Sequence, residues 1–375
     1  MSSLFSMFSE DQPAFAGLNS ENKPSIADLS LDAIYVPVHS ELSGVQSLYR
    51  ETLLNSTENH LLKKLVEGNG VEYVPETFRV AVIEQISKHL LQAEGKWVRA
   101  SLVVLAAQAG MHPGLPARQI AVAVELVHLA TLIHDDIIDQ APARRGIETV
   151  SNGWGNSVAV LMGDLLFSKA FRLLLDSGSI PAQNYLTQAT GQMCMGEIQE
   201  LQHSFRSRIS EKDYLEMISN KTASLMGAAS ASGGCVANLP QECIEAFFTY
   251  GHSLGMTFQI TDDVLDYTAS FETFGKQQGV DLQNEKITLP LIHLIDQRPE
   301  EAQAIIEQDI PVSDKALYLS DLMKETGSIE YAYETGRQYG EEARQALKVI
   351  EAECGASEAL RSLHQLIDFV LVRER

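Results

Sequence analysis

Two stretches constrain this chain more than anything else in it. IAVAVELVHLATLIHDDIID (120–139) and GHSLGMTFQITDDVLD (251–266) are each nearly all apolar, and each closes in D-D-x-x-D. A helix that is apolar on every side belongs in the middle of a protein. Aspartates at its end must be solvated, paired or metal-bound, because an unpaired buried charge is too costly to keep. They also fall at helix C-terminal ends, where the helix dipole disfavours negative charge. Local helix stability gives no reason for them.

On a helix, positions i and i+4 share a face, so Asp135 projects with Asp139, and Asp262 with Asp266. Asp136 and Asp263 lie beside them. Mg2+ takes few ligands from a protein and completes its shell with water and phosphate oxygens. One such cluster reads equally well as a solvated acidic helix end. Two, both closing apolar helices, point to a diphosphate held between magnesium ions.

The rest of the chain is helical in pattern. Apolar residues recur at three- and four-residue spacing over 41–67, 75–92, 97–110, 116–139, 157–175, 183–206, 211–235, 240–267, 287–308, 314–325, 328–352 and 356–372. Gly, Pro and Asn separate these segments, as at Ser151-Asn152-Gly153-Trp154-Gly155 and Gln297-Arg298-Pro299. No stretch carries the alternation of a sheet, and no repeat or linker divides the helices. We therefore expect an all-α fold: a single large helical bundle over 41–375, preceded by a mobile N-terminal arm over 1–40, rich in Ser, Asn, Pro and acids.

Composition closes off several functions. A formal charge of −22 argues against nucleic acid, whose phosphate backbone needs a basic surface. No apolar run is long enough to span a membrane. The start lacks a basic n-region and an apolar core, so no signal peptide is expected. Cys194, Cys235, Cys243 and Cys354 form no CxxC, which fits reduced thiols in a cytoplasmic protein.

The basic residues supply the other half of a diphosphate site. Lys96 and Arg99 open one helix, Arg144 and Arg145 follow the first aspartate cluster, and Lys221-Thr222 opens another helix. Lys276 and Lys286 follow the second cluster. Helix N-termini and guanidinium forks are natural phosphate binders. A rival reading is a di-iron bundle built on Glu125–His128 and Glu200–His203. It lacks the two further inward glutamates and leaves the paired aspartate clusters unexplained.

With these motifs on the page, the chain resembles the trans-polyprenyl diphosphate synthases, closest to the long-chain octaprenyl type. The resemblance runs from about residue 50 to the C-terminus through GKWVR, ELVHLATLIHDDIIDQAPARRG, GDLLFSKAF, GEIQELQ, KTASL, FQITDDVLDY and GKQQGVDLQNEKITLP. It implies that Asp135, Asp136, Asp139, Asp262 and Asp266 hold Mg2+ bridged to an allylic diphosphate, with Asp263 and Lys221 in the same catalytic set. Arg144, Lys221, Thr222, Gln259 and Lys276 would contact that diphosphate, with Lys286 nearby. Lys96, Arg99, His128 and Arg145 would bind isopentenyl diphosphate. It further implies a homodimer, with at most peripheral membrane contact for product release.

Three departures from the family pattern stand out. Ala100 replaces a proline, Ile147 a lysine, and Glu285 the glycine before Lys286. Only the last touches a site loop, since glycine there often serves a left-handed backbone.

The implied chemistry fits the inventory. Metal ions and cations that neutralise a departing diphosphate lower the barrier to allylic ionisation. An apolar pocket then protects the cation from water. A terpene cyclase would not need the second set of Lys96, Arg99 and Arg145, and a non-catalytic partner subunit would not need intact aspartates. A shorter-chain synthase is the nearer alternative. Ala130 and Thr131, one turn before the first cluster, bear on it. Short-chain members of the resembling family carry bulky aromatics there, so two small residues imply an open channel and a long product. Phe167 and Phe171 are candidate floors.

Overall fold

Gly155, Gly178 and Pro299 fall at helix boundaries in the computed structural model, which describes residues 29–54, 81–93, 95–110, 114–202, 209–268 and 279–372. Residues 151–154, expected as a break, lie in a short helix. The first half comprises α1 (Leu31–Ile34), a 3-10 turn (Val36–Val38), α2 (His39–Leu54), α3 (Ala81–Leu90), α4 (Val98–Ala109), α5 (Leu115–Ile138), α6 (Val150–Trp154), α7 (Asn156–Asp176) and α8 (Ile180–Gln202). The second comprises α9 (Glu211–Ile218), a π turn (Ser219–Ala223), α10 (Ser224–Val236), α11 (Gln241–Thr268), α12 (Val280–Gln283), α13 (Leu289–Gln297), α14 (Pro299–Glu307), α15 (Val312–Glu325), α16 (Ser328–Cys354) and α17 (Glu358–Val372). Ser30, Thr149 and Ser210 each cap a helix by accepting from a backbone N–H three residues on.

Three elements differ from the periodicity. The segment 287–308 is two helices, because Pro299 has no N–H to donate and Arg298 before it leaves the helical region. The segment 211–235 runs as α9, π turn and α10 without a break, so Lys221 lies inside a helix and opens none. A two-residue hairpin, β1 (Ala143–Arg144) with β2 (Ile147–Glu148), follows the first aspartate cluster. Its turn residues, Arg145 at φ 51° and Gly146 at φ 79°, are both left-handed, as a type I′ hairpin requires. It is too short to register as alternation.

The core forms around α5, α10 and α11. The run Ile120–Val127 of α5 is buried but for Glu125, and the run Ser224–Cys235 of α10 is wholly buried. A second apolar cluster packs α9 and α12–α15 on the later half of α11, through Tyr214, Ile260, Tyr267, Leu291 and Leu319. Both long apolar helices are thus central, as expected, and the acidic end of each emerges from one of these two clusters.

Of the arm expected over 1–40, residues 1–28 lie outside the described residues, and 31–40 are anchored to the helices. Ile34 and Val38 are buried, Ser362 Oγ of α17 donates to Ile34 O at 2.6 Å, and Tyr35 Oη donates to Lys96 O at 3.2 Å. Apolar anchoring therefore makes residues 31–40 part of the bundle. Lys276 and His203 lie outside the described residues, as do 55–67, 75–80 and 203–206 of the expected helices. Among the described residues no helix is long and apolar enough to cross a membrane.

Candidate active site

At the end of α5 the helical rotation sorts the first cluster. Asp135 and Asp139 share a face. Asp136 turns away, is buried, and accepts from Arg144 Nε at 2.6 Å. The expectation that Asp136 binds metal and Arg144 the allylic diphosphate meets a different arrangement: each neutralises the other, because a carboxylate buried on the apolar side needs a cation. Burial, then Glu197, pushes the Asp135 carboxyl up to about 7, against the pull of Lys221 and Arg144.

Facing this cluster is a cradle of lysines and glutamates. Lys221 Nζ lies 2.6 Å from Glu197 Oε2 and also bonds Glu200. Lys286 Nζ reaches Glu200 at 3.3 Å and Asp139 at 3.9 Å. The two lysines hold Glu200 below its ordinary range in spite of burial. Lys221 rides in the π turn, a wider helical turn often found at functional sites. Two glycines admit it: a Cβ on Gly196 of α8 would meet Lys221 N at 2.5 Å, and one on Gly255 of α11 would meet Ala223 Cα at 2.6 Å.

The second cluster meets the first through Lys286. Its backbone N–H donates to Asp281 O, and Asp281 N in turn donates to Asp266 Oδ2 at 3.1 Å. Glu285 adopts φ 56°, the left-handed backbone foreseen for a glycine position, and Lys286 still points into the site. Asp281 adds a carboxyl to this cluster, pushed up to about 7 by burial and then by Asp266. Asp262 is exposed. Asp263 is buried, with Tyr214 Oη donating to one oxygen and Gln259 Nε2 to the other.

These carboxylates fit Mg2+. The donors are all oxygen, and burial, with a neighbouring carboxylate, resists the ionisation of Asp135 and Asp281. Among the described residues no three acidic, His or Cys groups converge to enclose an ion alone.

A second cleft, of about 1060 Å³, opens on the other side of α5 and includes Lys96, Trp97, Glu125, His128, Arg144 and Arg145 in its lining. Arg99 does not line this cleft; its Nε is buried without a hydrogen bond, with Glu125 and Arg145 close enough to act on its charge. Burial and the surrounding Arg99, Arg145 and Arg144 hold His128 well below its ordinary range, so its imidazole is neutral. Glu125 accepts from Ala100 N at 2.9 Å and faces Arg99. The cleft mixes cations (Lys96, Arg144, Arg145) with acids (Glu51, Glu125, Glu148) and has an aromatic wall, where Tyr49 and Trp97 meet edge-on at 5.0 Å.

Residues 80–321 match the family model described as polyprenyl synthetase. The chain belongs to the polyprenyl synthetase family. Similar members include heptaprenyl diphosphate synthase component 2 of Geobacillus stearothermophilus, 37% identical over 68% of this chain and 80% of that one. Octaprenyl diphosphate synthase of Escherichia coli is 34% identical over 72% and 85%. The fold matches a Caulobacter crescentus polyprenyl synthase complexed with calcium and isoprenyl diphosphate, at TM-score 0.79 and 30% identity, covering 92% and 98% of the two chains.

In this polyprenyl synthetase the di-iron alternative fails on geometry, since Glu125 and Glu200 serve different clefts. Sequence reading missed four site residues: Glu197, three before Glu200 in GEIQELQ; Glu125 and Glu200, weighed only as iron ligands; and Asp281, well beyond its cluster. Of the chain-length residues, Thr131 shares a face with Asp135, is half-buried, and donates to His128 O at 2.8 Å. Ala130 is fully buried and shares a face with His134, which packs on Phe167 at 6.0 Å. Phe171 is 39% exposed on α7, so within one chain it is no channel floor.

Proposed function

We propose that the site condenses isopentenyl diphosphate with an allylic diphosphate to build a long-chain all-trans polyprenyl diphosphate. The observation that carries this reading is Lys286, which touches Asp139 of the first cluster while its backbone is tied through Asp281 to Asp266 of the second. One pair of lysines between two aspartate clusters is an arrangement for a diphosphate.

Asp135, Asp139, Asp262 and Asp266 would hold Mg2+, which neutralises the departing diphosphate when bound. The calcium and isoprenyl diphosphate in the Caulobacter crescentus protein support a divalent metal here. Lys221 and Lys286 bind the allylic diphosphate, exchanging their glutamate partners for its oxygens. Lys96, Arg99 and Arg145 bind the second diphosphate, and neutral His128 can donate to it without adding charge. The apolar walls of α5 and α10 keep water from the allylic cation.

Large apolar side chains on α7 and α8, among them Leu161, Leu175, Ile180, Ile198 and Leu201, are exposed. We assign this face to a second copy of the chain, in keeping with the homodimer implied by the sequence, and place the enzyme in the cytoplasm. Incubation with isopentenyl and farnesyl diphosphates, Mg2+ and product sizing tests the activity. Asp135→Ala and Asp139→Ala should abolish turnover with the helical circular dichroism unchanged; near-normal rates at saturating Mg2+ overturn the reading.

A further inference from the structure

Asp263 sits within the second D-D-x-x-D cluster, yet protein donors take both of its oxygens. Tyr214 Oη donates to Oδ2 at 2.5 Å and Gln259 Nε2 to Oδ1 at 2.8 Å. The chain of bonds continues through Thr222, whose Oγ1 donates to Gln259 Oε1 at 2.9 Å. Tyr214 and Asp263 are shielded from solvent, at 0% and 4% exposure.

The direction of every bond follows from the donors. With Tyr214 Oη and Gln259 Nε2 both donating to Asp263, the Gln259 amide presents nitrogen to Asp263 and oxygen to Thr222. Turning the amide over would set its oxygen against the carboxylate. The network joins three elements: Tyr214 on α9, Thr222 in the π turn beside Lys221, and Gln259 with Asp263 one turn apart on α11. Thr222 and Gln259 line the same cavity of about 120 Å³ as Lys221 and Lys286. Polar groups in such a site act through orientation, and a misplaced donor weakens binding without unfolding anything.

We propose that Tyr214 and Asp263 are positioning residues for the allylic diphosphate site, and that Asp263 binds no metal. They hold the Gln259 amide in one orientation and, through Thr222, hold the π turn that carries Lys221 against the second aspartate cluster. The inference rests on the reading of this cavity as a diphosphate site.

Tyr214→Phe removes only the hydroxyl. Its expected effect is a loss of about tenfold in kcat/KM for farnesyl diphosphate, the scale of one hydrogen bond to a charged group. The KM for isopentenyl diphosphate and the Mg2+ half-saturation should stay put. Because Tyr214 acts through Gln259, the double variant Tyr214→Phe/Gln259→Ala should match Gln259→Ala within about twofold. Effects that multiply independently would mean a merely structural tyrosine and overturn the proposal. Asp262→Asn should raise the Mg2+ half-saturation while Asp263→Asn leaves it unchanged; an equal rise in both would make Asp263 a metal ligand. Calorimetric binding of inorganic diphosphate with Mg2+ separates this proposal from the reading it rests on. A wild type that binds diphosphate but makes no polyprenyl product, with binding weakened in Tyr214→Phe, sinks the activity and supports the network. Normal turnover with binding unchanged in Tyr214→Phe sinks the network alone. Should Tyr214→Phe fail to fold, Thr222→Val takes its place, with the same non-additivity against Gln259→Ala expected and additivity again overturning.

Discussion

Lys221 keeps its ammonium 2.6 Å from the Glu197 carboxylate, so the cation offered to a substrate diphosphate is already engaged by the protein. Burial works against that charge, but Glu200 and Glu197 outweigh it and hold Lys221 above its ordinary range. Ion pairing lets a half-buried lysine wait, charged, for an anion, and binding must then break the pair.

Removing one holding carboxylate should therefore favour substrate. Glu197→Gln should lower the KM for the allylic diphosphate by about fivefold, the scale of one partly exposed ion pair. Steady-state kinetics with farnesyl diphosphate as the varied substrate checks this. A raised KM would show that Glu197 is needed to aim the lysine.

The metal-free protein should lose stability as pH rises from the ordinary carboxylate range to about 7. Asp135 and Asp281 are both pushed up to about 7, so the folded state binds more protons than the unfolded one across that window. Stability from a raised acid is complete below the unfolded pKa and is gone above the folded one. Thermal melts across this range should show the decline, Asp135→Asn should flatten it, and saturating Mg2+, which binds the ionised carboxylates, should reverse it.

The two clefts should respond separately. Arg145→Ala should raise the KM for isopentenyl diphosphate about tenfold or more, with a lesser effect on the allylic substrate, and Lys221→Ala should do the reverse. Equal effects on both substrates in either variant would merge the two sites.

Product length should follow the face beneath Asp135. Thr131 is half-buried, one turn before Asp135 and on the same face, so Thr131→Phe should shorten products to geranylgeranyl length or less while sparing the first condensation. Ala130→Phe should shorten them too, but Ala130 has no exposed surface, so it should also cost about 1–3 kcal/mol of stability through overpacking. Chromatography of the products and chemical denaturation of both variants test this. Wild-type products of geranylgeranyl length or shorter would end the long-chain assignment.

Much of this protein was legible before folding. Helical periodicity placed most elements, and two apolar runs ending in aspartates announced the central helices and the carboxylate clusters that close them. Those signals are local: an i, i+4 pair shares a face whatever surrounds it. What tertiary structure decided were the partners. That Asp136 answers Arg144, that Asp263 answers Tyr214, and that Glu197 and Glu200 close on Lys221 depends on which helices pack together. Helix α10, buried over residues 224–235, is built largely from Ser, Gly and Ala, and only packing shows that they let neighbouring helices close in. A carboxylate's role is set by what compensates its charge, and the compensating group here stands as many as 49 residues away.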